Sequence, residues 1–458
     1  METPHFQLHR HTLANGMRVW CIPRPNTGTV AMMAQLPVGS RTENKHNNGI
    51  SHFLEHMVFT GTERWAESEV TDVVRRRGGE VNAHTSREST NFHIHVAAQD
   101  AAFGMDWLHQ LVFKPTLLPE KFEKERQVII NEKGGEFDLL QTVWEWIEDH
   151  NWGWHVARAI RRRIYPDSSL LLSIIGRDKT LNAITHQELV DYYRRYYVPN
   201  NVTLIVVGDI EPQAAFELAE KTFGDIPARP FPPTHPPVRV VPNTFDVRLH
   251  GPSPNEQGQL LVGVLLDYAE HPDRFGWWII EEMLENACMR DIRFELGLTY
   301  GVNVFTVLYT DTGYFCVYTS ANIEDFDRIR QIIEKHLNRL VNGDFTAEEL
   351  AEAQASLRGR ALLNLQDNME LAWWLSTDAL ASRDDSTPIP DYFAEISRLT
   401  PDEVKRIAGQ YFAPQKRFYV EHRPVVTPRR LKPLAAAAVF GMLSAAVRLS
   451  FRPRHRAK

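Results

Sequence analysis

The sequence of 458 residues predicts an α+β protein with two similar α/β-sandwich halves, each with an antiparallel or mixed sheet and helices packed on one face. Three observations support this fold class. A proline-rich stretch divides the chain near its middle, strand-like and helix-like patterns alternate on both sides of it, and these patterns follow a similar order in the two halves. The shared order indicates an internal duplication.

The composition is that of a globular protein that can bury a core in each of two or more domains. Hydrophobic residues make up 43% of the chain and charged residues 24%. The formal net charge is −7, but the eight basic residues from Arg429 onward have no acidic neighbour, so the rest of the chain carries −15. A body this acidic disfavours nucleic acid as a partner and would attract basic peptides.

The first half is predicted to span residues 1–226. Its strands are expected where short apolar runs are rich in β-branched residues, and its helices where apolar residues recur at helical spacing. The predicted strands are 16–23, 29–38 and 201–209, and the predicted helices are 100–112, 120–132 and 185–197.

A linker is predicted at residues 227–243, because seven prolines between Pro227 and Pro242 exclude a helix or a central strand. The second half is predicted to span residues 244–424 and to repeat the element order of the first. Its predicted strands are 259–268, 313–321 and 417–422, and its predicted helices lie at 273–295, 323–340, 346–380 and 400–411.

A basic, apolar tail is predicted at residues 425–458. Its uncharged core, Leu434–Val447, is fourteen residues long, shorter than the roughly 20 residues of an ordinary membrane-spanning helix. A peripheral membrane contact through 434–451 and a helix docked on protein are both open interpretations. The N-terminal sequence lacks a basic segment followed by an apolar run, so we expect a cytoplasmic location. Membrane association through the tail is the alternative.

The segment GISHFLEHM, residues 49–57, carries the first candidate site. On a helix, His52 and His56 lie four residues apart on one face, where both imidazoles can reach one tetrahedral ion. Glu55 lies on nearly the same face and can serve as a base for a metal-activated water. Histidines at this spacing also occur as packing or surface residues. A catalytic zinc site needs a third protein ligand, which must come from elsewhere in the chain.

The order HxxEH is the mark of the inverzincins, and GISHFLEHMVFTGT resembles the active-site segment of the M16 metallopeptidases, the pitrilysin, insulysin and mitochondrial processing peptidase group. That resemblance implies a LuxS/MPP-like fold in a short two-domain form. It also implies a third metal ligand within a pattern like ERxV-hydrophobic-xxE, roughly 75 residues further on. The chain has ERQVIINE there, with 75 residues between His56 and Glu132.

By resemblance, Glu132 is the third ligand of one zinc ion per chain. Glu125 lies two helical turns earlier on the same face and would support the site through a hydrogen bond to a ligand histidine. A run as charged as EKFEKERQVIINEKGGE is also typical of a solvated helix face. Lys133, Gly134 and Gly135 follow the ligand, and the glycines predict that the helix ends there.

Two further segments resemble parts of the family that contact substrate. GGEVNAHT resembles an edge strand beside the metal, where Asn82 and Ala83 would hold a peptide as an added strand. His84, His93 and His95 follow closely, but alternating histidines on strands commonly pack. RFELGLTYGV resembles a region whose Arg293 would hold a substrate carbonyl and whose Tyr300 would stabilise an oxyanion. The alternative is a helix-end arginine and a strand tyrosine in a packed sheet.

The resemblance therefore implies a zinc metalloendopeptidase that hydrolyses peptides or unfolded segments, with Glu55 as general base. The chain would hold two of the four similar domains that form a closed chamber in longer relatives, which favours a homodimer. A different class of function is also open, because relatives of this fold serve as non-catalytic scaffold subunits. A catalytic subunit that requires a separate partner is the third interpretation.

Overall fold

A computed structural model describes residues 6–134, 156–241, 244–252, 256–382 and 388–427. In these residues, two β-sheets with surrounding helices follow one another along the chain. The strands of the first half are β1 His9–Thr12, β2 Arg18–Pro23, β3 Thr29–Leu36, β4 Glu80–Thr85, β5 Thr90–Ala97 and β6 Thr203–Gly208. The strands of the second half are β7 Asp246–Pro252, β8 Gly258–Leu266, β9 Thr299–Leu308, β10 Gly313–Ala321 and β11 Phe418–Val426.

The helices of the first half are α1 Ile50–Val58, α2 Glu67–Val70, α3 Asp72–Arg75, α4 Ala101–Phe113, α5 Pro119–Glu132, α6 Val156–Ile164, α7 Asp178–Ala183, α8 His186–Tyr196 and α9 Pro212–Phe223. The helices of the second half are α10 Arg274–Cys288, α11 Phe326–Asn342, α12 Ala347–Asn364, α13 Asn368–Ala381, α14 Tyr392–Arg398 and α15 Pro401–Tyr411. A π-helical segment, Met289–Glu295, continues α10.

The two sheets share one topology. Their strand orders are β1-β2-β6-β3-β5-β4 and β7-β11-β8-β10-β9, so the second repeats the first without β1. In each sheet the two strands at matching positions, β2 with β6 and β7 with β11, pair in parallel, and the other neighbours are antiparallel. The predicted fold class of two similar sheet-and-helix halves is confirmed. The shared order also places β4 and β9 at equivalent sheet edges.

Each half has its own hydrophobic core between one sheet face and its helices. In the first half, alternate residues of β3 such as Val30 and Met32 pack against Met105 and Leu108 of α4. In the second half, residues of β8 such as Leu260 and Val262 pack against helices that include α10 and α11. Because successive side chains of a strand point to opposite faces, each sheet has a second face that other elements must cover.

A helix from the other half covers that opposite face. Trp20 of β2 and Ile205 of β6 form a cluster with Leu371 and Leu375 of α13, which belongs to the second half. Reciprocally, α6 of the first half buries Ile160 among residues of the second sheet that include Val420 and Cys316. The sequence predicted helices on one face of each sheet, and this exchange adds the second layer. Helices therefore pack on both faces of both sheets.

Polar contacts also join the halves. The Arg41 guanidinium is fully buried and pairs with Glu88 of the first half and Asp311 of the second. Arg41 Nη2 donates to the Pro236 carbonyl of the linker at 3.0 Å, and the Thr310 amide donates to Glu88 Oε2 at 3.0 Å. We call these five residues the Arg41 cluster. It fixes the first half, the linker and the second half to one point, because each of its charges has an opposite partner.

Several elements differ from their predicted extents. The predicted helix 273–295 is an α-helix as far as Cys288 and a π-helix beyond it, and the stretch 346–380 is divided between α12 and α13. Residues 227–241 have neither helix nor strand, as their prolines require. The domain boundaries themselves stay predictions.

Most of the tail, from residue 428 onward, lies outside the described residues, so its predicted contacts remain predictions. Within the described part of the chain, every helix is too short or too polar to cross a lipid bilayer.

The exchange of helices predicts that an α6 mutation destabilises the whole molecule. Ile160 is 1% exposed, and Ile160→Ala should reduce the free energy of unfolding by about 2–5 kcal/mol because it leaves a cavity under the second sheet. Urea denaturation measures this, with the exposed Arg162 as the control through Arg162→Ala. Equal stability of the two variants would contradict the role assigned to α6.

Candidate metal centre

Helix α1 begins at a buried and tightly packed point. Gly49 has φ 97°, a backbone conformation that disfavours residues with a side chain. A Cβ atom at this position would also lie 2.7 Å from the Gly176 Cα, which is too close. The buried Glu43 carboxylate accepts hydrogen bonds from the amides of Gly49, at 2.7 Å, and Ser51, at 2.9 Å. Burial raises the pKa of Glu43 to about 7, although these hydrogen bonds oppose the rise. The helix start is thereby capped and held in place.

The structure brings together the three residues predicted as metal ligands. His52 and His56 lie on α1 with ring centroids 4.7 Å apart, and Glu132 is the last residue of α5. Among the described residues, ligand atoms of these three side chains all lie within 4.8 Å of one another. Glu132 Oε1 is 3.8 Å from His52 Nε2, and Glu132 Oε2 is 3.3 Å from His56 Nε2.

These separations fit a shared ion. Two ligands of a tetrahedral zinc ion, each about 2.1 Å from the metal, lie about 3.4 Å apart. The 3.8 Å gap between His52 Nε2 and Glu132 Oε1 is too long for a hydrogen bond. The set of two imidazoles and one carboxylate is also a known ligand combination of catalytic zinc sites. The residues present therefore fit zinc, with one coordination position left for water or substrate.

The two histidines differ in their tendency to hold a proton. Burial lowers the pKa of His52 to about 4, and the positive charges of His56 and His84 act in the same direction. His52 is therefore neutral near pH 7 and ready to bind a metal. Burial also disfavours protonation of His56, but its contact with Glu125 and the charges of Glu132 and Glu55 outweigh burial and raise its pKa.

Glu125 lies where the sequence predicted a supporting residue. It is buried on α5, and its Oε2 is 3.6 Å from His56 Nδ1. This is the ring nitrogen that does not face Glu132, so the two carboxylates hold the imidazole from both sides. Phe53 of α1 stacks on Phe122 of α5 with ring centroids 4.7 Å apart, which fixes the two helices side by side.

Glu55 is held by a residue that the sequence analysis did not single out. The Thr85 hydroxyl, at the end of β4, donates a hydrogen bond to Glu55 Oε2. Burial raises the pKa of Glu55 and the hydrogen bond from Thr85 opposes this rise. A carboxylate with a raised pKa is a better proton acceptor. The signal available in the sequence was the position of Thr85 within the quoted segment GGEVNAHT.

The metal ligands and Glu55 line a cavity of about 1240 Å³. This volume exceeds the roughly 300–1,000 Å³ of small-molecule sites, so the cavity can accept a peptide segment. Asn82 and Ala83 of β4 also line it, and β4 is an edge strand. Such an edge can pair with an extended peptide. Tyr314 and Tyr318 of the second half complete the wall.

Arg293 and Tyr300 lie apart from this group. Neither is among the residues that line the cavity. Arg293 is exposed on the π-helical segment, with its guanidinium 5.3 Å from the Phe294 ring centroid, and Tyr300 is 84% exposed at the start of β9. Their role at a metal site therefore stays a prediction. It would require that the two side chains contact a surface outside this cavity.

The other histidines near the motif have different surroundings. His93 and His84 contact the Trp373 ring, with centroid distances of 5.3 and 6.0 Å. His95 Nε2 lies 3.0 Å from the Thr29 hydroxyl. These contacts fit the packing role that the sequence indicated for strand histidines.

Two family models match the chain. Residues 18–143 match the model described as insulinase, peptidase family M16. Residues 183–357 match the model described as the peptidase M16 inactive domain. The first match contains His52, Glu55, His56 and Glu132, and the word "inactive" describes the model for the other part of the chain.

Two relatives are similar to this chain over most of their own length. An uncharacterized zinc protease, YmxG, of Bacillus subtilis is 25% identical over 410 residues, which cover 88% of this chain and 96% of the relative. The mitochondrial-processing peptidase subunit beta of Homo sapiens is 23% identical over 414 residues, which cover 87% of this chain and 81% of the relative.

Solved structures have the same fold. A protease from Helicobacter pylori superposes with a TM-score of 0.79 at 21% identity, covering 92% of this chain and all of that one (100%). A putative M16-like peptidase from Alicyclobacillus acidocaldarius gives a TM-score of 0.75 at 21% identity, with 93% of this chain and 99% of that one covered.

The contact between Glu125 and His56 predicts two effects of Glu125→Gln on zinc affinity. Protonated His56 cannot bind a metal, so affinity should fall as the pH drops through the raised pKa of His56. Without the Glu125 carboxylate that pKa is lower, so the fall should begin at a more acidic pH. At high pH the affinity itself should drop by about 10–100-fold, because His56 loses its orienting partner.

Competition titration with a zinc-binding dye between pH 5.5 and 8.5 measures both effects. Glu120→Gln, an exposed site on the same helix, is the matched control and should behave as the parent. If zinc affinity depends on pH in the same way in Glu125→Gln as in the parent, Glu125 does not set the protonation of His56.

Proposed function

The chain belongs to the M16 family of peptidases, and from this premise we propose that it is a zinc-dependent endopeptidase that cleaves peptides or unfolded segments, with Glu55 as general base. One observation carries the proposal. His52, His56 and Glu132 lie within 4.8 Å of one another, in the same cavity as Glu55. The names of relatives, among them zinc protease YmxG, agree with this chemistry.

Zinc held by His52, His56 and Glu132 would polarise the scissile carbonyl and lower the pKa of a water molecule. Glu55 accepts a proton from the attacking water, and its raised pKa suits that task. The hydrogen bond from Thr85 holds one carboxylate oxygen of Glu55 and leaves the other available for the water. The protonated Glu55 then delivers its proton to the leaving amine.

The substrate would bind as an added strand along β4. The outer edge of β4 has no strand partner in the described sheet, so its amides and carbonyls at Asn82 and Ala83 can pair with an extended backbone. Pairing of this kind depends little on substrate sequence. It requires an unfolded segment, because a folded protein offers few free strands to a recessed site.

We further propose that the protein acts as a homodimer in which Arg293 and Tyr300 serve the metal site of the other copy. Both are exposed, and the intervening segment also exposes Phe294, which is 71% accessible, and Leu296. Exposed aromatic and aliphatic residues grouped in one segment are typical of a contact surface. The equivalent positions of β9 and β4 in their sheets support this arrangement, because β4 lines the cavity that contains the candidate metal ligands.

Replacing Glu55 by Gln should separate metal binding from turnover. Glu55→Gln retains the shape of the side chain and all three ligands, so zinc content should equal that of the parent. Peptide turnover should fall by about 10²–10⁴-fold, since proton transfer is lost. Metal analysis and cleavage of a quenched fluorescent peptide measure the two properties, with Glu63→Gln at an exposed position as the control.

The parent enzyme should lose activity with a chelator and regain it with zinc. A zinc-loaded parent chain that cleaves no unfolded polypeptide would instead favour the non-catalytic subunit. Turnover by Glu55→Gln equal to that of the parent would remove Glu55 from the mechanism.

Mixing two inactive variants tests the proposed dimer. Tyr300→Phe should lower turnover by about 10²–10³-fold through loss of an oxyanion donor. If Tyr300 acts across the dimer, mixing Tyr300→Phe with Glu55→Gln chains restores part of the parental rate, because a mixed dimer has one complete site. The double variant Glu55→Gln/Tyr300→Phe in place of Glu55→Gln is the control and should give no recovery. Absence of recovery in mixtures whose subunits exchange would reject action across the dimer.

A further inference from the structure

Two arginines from separate elements line the same cavity as the metal ligands. Arg87 follows β4 by two residues, and Arg161 lies on α6, the helix that packs on the second sheet. Arg158 and Arg177 also line this cavity. The wall that would face a substrate is therefore basic, although the body of the chain carries a large negative charge.

Arg87 and Arg161 share an environment without an acidic partner. In the part of the chain that the structure describes, neither guanidinium forms an ion pair with a carboxylate. Arg87 Nε donates to the Leu170 carbonyl at 3.3 Å. Arg161 Nε is buried and has no hydrogen-bond partner among the described residues. Burial, and then the charge of Arg161, lower the pKa of Arg87.

Such a pair costs stability, because two like charges are partly removed from water without a counter-ion. The contacts of the pair among the described residues are with neutral groups, the Leu170 carbonyl and the Tyr314 phenol. Burial raises the pKa of Tyr314 to about 12 and the charge of Arg161 opposes that rise, so the phenol lies beside the guanidinium as a neutral hydroxyl. Groups that are kept unfavourably charged in a cleft are candidates for ligand binding.

The chemistry of the pair selects the ligand. Guanidinium groups bind carboxylates through two parallel hydrogen bonds, and two such groups flanking one site favour a carboxylate over an amide or a cation. A neutral phenol hydroxyl at Tyr314 can donate one more hydrogen bond to the same anion. A lysine or arginine side chain would be repelled.

The position of Arg87 places this site near the scissile bond. Thr85 contacts Glu55, and Arg87 lies two residues further along the chain. Arg87 lies in the turn that joins β4 to β5, so the Cα atoms of Thr85 and Arg87 are at most about 7 Å apart. A peptide paired with β4 would therefore bring a side chain within about three residues of the cleaved bond to Arg87.

We propose that Arg87 and Arg161 form a subsite for an aspartate or glutamate side chain of the substrate, within about three residues of the scissile bond. This inference rests on the proposed peptidase function and adds a specificity to it. The acidic body would attract basic peptides over long distances, but that attraction is screened beyond roughly 10 Å at 0.1 M salt. The subsite acts in direct contact, so acidic preference should persist as salt is raised.

Matched peptides test the subsite. A fluorogenic peptide carries Glu, Gln or Lys at each of three positions on either side of the cleaved bond, and kcat/KM is measured with the zinc-loaded enzyme. At one position, Glu should exceed Gln by about tenfold or more and Lys should be poorest. Arg161→Gln should remove most of the Glu-to-Gln ratio at that position. Arg162→Gln, which removes an exposed charge from the same helix, should retain it.

A second readout does not require turnover. Binding of the same peptides to zinc-loaded Glu55→Gln, measured by fluorescence anisotropy, should show the same Glu-to-Gln preference. If no peptide is cleaved, the proposed function fails, and the binding ratio alone decides on the subsite. Equal kcat/KM or equal affinity for Glu and Gln peptides at every position would overturn the subsite. A ratio that Arg161→Gln leaves unchanged would overturn it as well.

Discussion

Each sheet of this protein depends on a helix from the other half. Helix α13 covers Trp20 and Ile205 of the first sheet, and α6 covers Val420 of the second. A sheet with one bare apolar face would expose a large hydrophobic surface to water, so the two halves complete each other's folding. The two helices occupy equivalent places in the element order of their halves, and the exchange therefore follows the internal duplication. This packing determines the shape of the cavity between the halves.

At the candidate metal centre, the two duplicated halves differ in the residues that they carry at equivalent positions. In the first half, α1 carries two of the candidate ligands and β4 is the sheet edge beside them. In the second half, α10 with its π-helical extension and β9 stand at the matching places, and they carry Arg293 and Tyr300. A π-helical turn shifts the register of a helix and often accompanies a functional residue. The two copies of one fold thus carry different residues at the same structural position, candidate metal ligands in the first half and an exposed arginine and tyrosine in the second.

Sequence alone identified the parts of the site that local patterns define. HFLEH places two candidate ligands on one helical face, and the family resemblance of ERQVIINE indicated Glu132 as the third, which no local rule could connect to His56. Thr85 and Arg161 escaped notice because their importance arises only from tertiary contacts. The element order and the two halves were predictable from periodicity. The cover of each sheet by a distant helix was not, because an amphipathic pattern shows that a face is buried but not what buries it. Burial of Ile160 and Ile164, on a helix whose last turn is basic, against the second sheet is such a case.

The Arg41 cluster restricts how the two halves can move relative to each other. Removing one member of a buried ion network typically costs several kcal/mol, and this network ties both halves and the linker at a single place. Together with the exchanged helices, it joins the described parts of the two halves at several separate places, which opposes a swing of one half away from the other. If the chain acts as the proposed dimer, admission and release of a polypeptide would rely on displacement between whole subunits, and salt or mutations at the contacts between copies would alter entry without altering the interior of either copy.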